Sequence, residues 1–212
     1  RAYYGGHFDV GDNKSNDNSW FTAQAGNLEI VVVNYEFRGA AGQQPAVSAW
    51  GKKVFEDHPD ALGIGNTHYM VNADGNFSQQ GKAIYDSVKG VGNVQLLSGG
   101  HISDRAKRDD VFQGVTTTSI LCDFQAYSEP SPKCAGGCGY FRIWQFSPKN
   151  NTMHVWTYSP SQNKTLGGAK DDFNVKVDLS KAAYGPFKKA GVTKALGKKL
   201  TYEVTGLKPS TR

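Results

Sequence analysis

The sequence predicts an α+β domain of mixed sheets with flanking helices, and three patterns support that expectation. From Leu28 to His101, apolar runs alternate with amphipathic segments in a β-α-β-α-β order, which favours a mainly parallel sheet. Two of the runs, Ala61-Leu-Gly-Ile-Gly-Asn-Thr-His68 and Asn93-Val-Gln-Leu-Leu-Ser-Gly-Gly-His101, share one shape: a short buried strand passing into a loop that bears a histidine. After His101 the helical period gives way to short strand-like segments broken by turn residues.

Each element has its own reason. Leu28 to Tyr35 is a nearly uninterrupted apolar run and reads as a core strand. Pro45 suits the first position of a helix that places Val47, Trp50 and Val54 on one face. The strand ending near His68 leads into a polar Gly/Asn loop. A second helix, about Gln79 to Lys89, turns Ile84, Tyr85 and Val88 inward. Thr117–Asp123, Gly139–Phe146 and Thr152–Tyr158 read as strands, the last two joined by a turn at Ser147-Pro-Lys-Asn-Asn151. Phe173, Val175, Val177 and Leu179 alternate with polar residues, so that strand has one buried face.

With 212 residues, 38% of them hydrophobic and 12% aromatic, the chain has material for one sizeable core. No apolar run approaches the ~18 residues that suggest a membrane span. Charge is uneven. Residues 181–212 hold eight Lys/Arg against Glu203, a net +7, while residues 1–180 hold sixteen against eighteen acids, a net −2. The basic tail is read as a solvated extension whose alternative is contact with a polyanion such as nucleic acid, anionic lipid or acidic glycan. Asn13, Asn76, Asn150 and Asn163 fit the N-glycosylation pattern, which supports a secreted glycoprotein; the other reading is that a chain rich in Asn, Ser and Thr yields such triplets by chance. Of three cysteines, Cys134 and Cys138 share a flexible loop and can close a small disulfide. Cys122 is a buried thiol, or pairs with a loop cysteine or with one on another segment.

The histidine segments carry a resemblance. Gly65-Asn-Thr-His68-Tyr resembles the ATHxP strand end of calcineurin-like metallophosphoesterases, and Leu96-Leu-Ser-Gly-Gly-His101-Ile-Ser-Asp-Arg105 resembles their LSGHxH motif. The likeness spans residues 1–179, including Gly139-Tyr-Phe-Arg-Ile-Trp-Gln-Phe146 and Asn150-Asn-Thr-Met-His-Val-Trp-Thr-Tyr-Ser-Pro160, and is nearest to secreted members. It implies the C-terminal half of a metallophosphoesterase-type α/β/β/α sandwich over 1–179, followed by a basic extension over 180–212. The end of that extension resembles part of a fibronectin type III module.

The family's three N-terminal metal motifs, Asp-x-His, Gly-Asp-x-x-Asp and Gly-Asn-His-Asp/Glu, do not occur here: Gly11-Asp12 is followed by Asn-Lys-Ser, and Ser103 replaces the second histidine of GHxH. The resemblance therefore implies a chain that begins after half its site. His68 and His101 are the implied ligands of one metal. The complete site takes two divalent ions, Zn, Fe or Mn, and this chain one or none. The implied function is metal-dependent hydrolysis of a phosphomonoester or phosphodiester, completed by an N-terminal fragment or a second copy. The alternative is a non-catalytic secreted binding protein on the same scaffold. Arg105 and Arg108, in the charge cluster after His101, are candidates for holding substrate phosphate, because guanidinium binds phosphate bidentately. The other reading of that cluster is a solvated loop. His7, His58 and His154 are read as structural or solvated.

Overall fold

Cross-strand pairing places the apolar run Leu28–Tyr35 at the centre of a large sheet. The computed structural model describes residues 4–11, 16–39, 42–130 and 133–182. In chain order the elements are β1 (Tyr4–His7), β2 (Ser19–Ala25), β3 (Leu28–Tyr35), α1 (Pro45–Glu56), β4 (Leu62–Thr67), α2 (Gln79–Val88), β5 (Val94–Gly99), β6 (Arg105–Phe112) and β7 (Val115–Cys122). There follow β8 (Glu129–Pro130), β9 (Lys133–Cys134), β10 (Phe141–Ser147), β11 (Thr152–Ser159), β12 (Lys164–Leu166) and β13 (Asp172–Lys176).

Seven strands form one mixed sheet in the order β1-β2-β3-β4-β5-β7-β6. Its centre, β3-β4-β5-β7, is parallel, with Val33 opposite Gly65, Gly65 opposite Leu97 and Leu97 opposite Ser119. Strands β2 and β6 add antiparallel on either side. A second sheet, β10-β11-β12 with β13 also on β11, is wholly antiparallel.

Strand periodicity assigns the two faces of the large sheet. Val31, Val33 and Tyr35 point to the helices, where they meet Val47, Val54 and Phe55 of α1 and Ile84, Tyr85 and Val88 of α2. Leu28, Ile30, Leu62, Ile64, Leu96 and Ile120 point the other way, onto Met153, Val155 and Val175 of the second sheet. That second core continues through Val177, Leu179 and Ala182, and the amide of Glu29 donates to the Ala182 carbonyl at 2.8 Å. Burying each of these aliphatic side chains contributes about 1.5–3 kcal/mol.

Both helices form where the 3.6-residue period placed them. Pro45 occupies the first turn of α1, and the hydroxyl of Ser78 caps α2 by accepting from the Gly81 amide at 2.8 Å. The start of α2 lies so near the preceding loop that a Cβ on Gly81 would stand 2.0 Å from the Met70 carbonyl oxygen.

The fold class expected from the sequence is corrected here. The described residues do not build half of a four-layer α/β/β/α sandwich. They are dominated by strand, with two helices of 12 and 10 residues packed on one face of the large sheet. On its outward face the second sheet carries Phe141, Ile143, Trp156 and Tyr158 beside Gln145, Asp172, Asn174 and Lys176, and no helix of the described residues covers it. The reading of residues 104–110 as a solvated loop is also corrected, since Arg105–Phe112 is an edge strand. Among the described residues no helix is long and apolar enough to cross a membrane. The sequon at Asn13 and the tail from residue 183 onward lie outside the described residues.

Candidate metal centre

Parallel neighbours deliver their following loops to the same edge of a sheet, and β4 and β5 are parallel neighbours. The loop after β4 carries His68 and the loop after β5 carries His101, both exposed. Two close approaches hold these loops together. The Gly100 amide donates to the His68 carbonyl at 2.8 Å. Gly99 lies where a Cβ would stand 2.7 Å from the Met70 nitrogen and 2.9 Å from the Thr67 carbonyl oxygen, so only glycine fits without displacement. His101 itself takes a left-handed backbone, with φ of 73°, an uncommon conformation for a residue with a Cβ.

The result is convergence. His68 Nε2 and His101 Nδ1 stand 2.8 Å apart, and their ring centroids are 4.8 Å apart. Two imidazole nitrogens that bind one zinc ion at about 2.0–2.1 Å, with a bond angle of about 90–109°, are separated by roughly 2.9–3.4 Å. As it stands the contact is a hydrogen bond, one ring N–H donating to the other ring nitrogen; losing that proton and opening by a few tenths of an ångström brings the pair to the bite of two ligands on one ion. No group of three or more His, Cys, Asp or Glu that could hold a metal occurs among the described residues.

Aromatic rings cover the pair on one side. Phe37, in the segment after β3, packs at 4.8 Å from His68 and 5.4 Å from His101, and Tyr69 lies 4.5 Å from His101. A polar row crosses the same edge of the sheet: Asn66 donates to the Asn34 carboxamide oxygen at 3.2 Å and accepts from the Ser98 hydroxyl at 2.9 Å. Those three residues continue the strand faces that bury Ile30, Ile64 and Leu96, so the inter-sheet core ends in hydrogen-bonding groups. The row escaped the sequence reading because it depends on register across three strands.

The two candidate arginines are engaged within the fold. Arg105 makes a bidentate pair with Asp171, both distances 3.1 Å, and its guanidinium lies over the rings of Phe124 and Tyr127. Burial works against its charge, and Asp171 more than offsets this, leaving its pKa raised. Arg108 pairs with both oxygens of Asp110 at 2.7 Å, donates to the Gly75 carbonyl and stacks 3.9 Å over Phe77. A phosphate would have to compete with these partners.

The remaining histidines sit elsewhere. His7 touches Tyr4 and Asp9, His58 contacts the Val54 carbonyl, and His154 pairs with Asp172 at 2.7 Å. Cys134 and Cys138 form the small loop disulfide. Cys122 is a free thiol that burial pushes up in pKa, against the pull of Arg142.

No family model matches the chain. It is 32% identical over 145 residues to the uncharacterized protein YvnB of Bacillus subtilis, a match that takes in 62% of this chain and 11% of that protein. The chain thus spans a small part of the relative's length. Among solved structures, GAP50, the anchor in the inner membrane complex of Plasmodium, aligns with a TM-score of 0.46 at 11% identity, over 77% of this chain and 56% of that one. A likeness at that level assigns neither fold nor function.

Proposed function

We propose that this chain contributes one side of a divalent-metal site in a phosphoester hydrolase of the calcineurin-like type, with His68 and His101 serving the same ion. The observation that carries the reading is the convergence of His68 Nε2 and His101 Nδ1 to 2.8 Å at the carboxyl edge of two parallel strands. The resemblance of their flanking sequences to two metal motifs in the right order supports the reaction class. A divalent ion held there supplies Lewis acidity toward a phosphoryl oxygen.

The chain's own residues have distinct tasks. His68 and His101 offer the two imidazole nitrogens, and the main-chain bond from Gly100 to His68 fixes their spacing. Phe37 packs against both rings and supplies an apolar contact to the pair. The remaining ligands and the second ion of a binuclear site come, in this reading, from a segment outside the chain. The Cys134–Cys138 disulfide supports an oxidising, extracellular setting.

Elemental mass spectrometry on the full chain purified without chelator or affinity tag tests the proposal, followed by hydrolysis of phosphomonoester and phosphodiester substrates. One ion per chain, lost in His68→Ala, is the expected result. A chain that takes up neither Mn nor Zn on dialysis and cleaves nothing sinks the catalytic reading and leaves a binding protein.

A further inference from the structure

Beside the histidine pair lies a cavity of about 310 Å³, walled by the rings of Phe37, Tyr69 and His101 and floored by Ser78, Gln79 and Gln80. Its volume is at the lower end of the range for small-molecule sites. Three properties define what it accepts. Among the described residues no Asp, Glu, Lys or Arg lines it, so they offer no counter-charge to an ionised substituent. Phe37 is 37% exposed although it packs against three rings, which leaves ring surface free to stack. Gln79 is an exposed residue whose carboxamide lies near Gly42 and makes no hydrogen bond among the described residues, whereas Gln80 and Ser78 spend their polar atoms inside the fold.

From this we infer that the cavity is a subsite for a neutral, flat aromatic group, stacked on Phe37 and edge-bonded to Gln79, carried by the ester whose phosphate sits at His68 and His101. The inference rests on the proposed phosphoester reading for the phosphate half, and on the cavity alone for the ring half. His101 connects them, because one residue lines the cavity and directs Nδ1 toward His68. The cavity and the pair therefore adjoin across one side chain. Stacking on an aromatic wall, with one amide to read the edge, favours aryl esters over alkyl esters. A quaternary ammonium, which also favours aromatic surfaces, is the competing ligand.

The test is saturation-transfer NMR on the full chain with phenyl phosphate, ethyl phosphate and phosphocholine, in chelator and again with zinc. Phenyl phosphate should show transfer to its ring protons with or without zinc, weakened about fivefold to tenfold in Phe37→Leu and retained in Phe37→Trp. Gln79→Ala should reduce it further only for rings that carry a hydrogen-bonding edge, such as 4-aminophenyl phosphate. Equal transfer from ethyl phosphate, stronger transfer from phosphocholine, or indifference to Phe37→Leu would overturn the inference. Ring transfer that depends on Phe37 in a chain that neither binds zinc nor hydrolyses esters keeps the cavity and sinks only the hydrolase reading.

Discussion

The amide of Gly100 donates to the carbonyl of His68 at 2.8 Å, so the two histidine loops are joined through main chain before their side chains meet. Gly99 makes that approach feasible, since a Cβ there would stand 2.7 Å from the Met70 nitrogen. Gly99→Ala should separate the loops, cost about 1–3 kcal/mol of stability through overpacking, and weaken zinc binding roughly tenfold or more. Denaturant unfolding and a zinc titration read the two effects. A variant with unchanged zinc affinity would show that the pair's spacing does not depend on this contact.

Zinc should raise the melting temperature. An ion that binds only the folded state at 100 times its dissociation constant adds about 2.7 kcal/mol. For a domain of this size that corresponds to roughly 5–10 °C. Differential scanning fluorimetry with and without zinc measures the shift, which His101→Ala should abolish. A shift that survives in His101→Ala would move the metal elsewhere.

Tyr35 is buried between the sheet and α1, its hydroxyl against Gly51, and that hydroxyl has no hydrogen-bond partner among the described residues. Burial pushes its pKa far above the ordinary tyrosine range. Tyr35→Phe removes a buried polar atom while keeping the ring, so stability should hold or rise by about 1 kcal/mol. Urea unfolding decides it. A loss of 2 kcal/mol or more, a threshold on the scale of a buried group's lost partner, would mean the hydroxyl has one.

Glu129 accepts from Lys164 at 2.6 Å, from the Tyr140 hydroxyl at 2.8 Å and from the Tyr127 hydroxyl at 3.2 Å. The Lys164 and Tyr140 bonds hold its carboxyl below the ordinary value of 4.5. A carboxyl depressed in the folded state contributes stability in full above its unfolded value and loses it as pH falls through the folded one. The segment around the disulfide should therefore loosen as pH falls below about 4.5, and hydrogen exchange at the Tyr127 and Tyr140 amides should report it. Glu129→Gln should flatten that pH dependence. An unchanged profile would place the acid-sensitive group elsewhere.

The helices were legible because Val47, Val54, Ile84 and Val88 recur at helical spacing, and the histidines because each closes an apolar run. Strand β6 was not. Its apolar signal is replaced by same-face ion pairs two residues apart, Lys107–Asp109 and Arg108–Asp110, which on paper resemble a solvated loop. Nor was the Asn34–Asn66–Ser98 row, whose members lie 32 residues apart and meet only through parallel register. The layer count was carried by the family resemblance, since alternation along the strands of the second sheet marks a buried face but says nothing of what covers the other.

His101 stands in both halves of the proposed site, as a ligand and as a wall. An ion that immobilises its imidazole would also settle one wall of the cavity in which an aromatic group stacks on Phe37. Linkage then requires symmetry: whatever factor the ion adds to the ring's affinity, the ring must add to the ion's. A substrate bearing the right ring would thus help load the metal that acts on it, making occupancy of this edge a property of two guests and not of either alone.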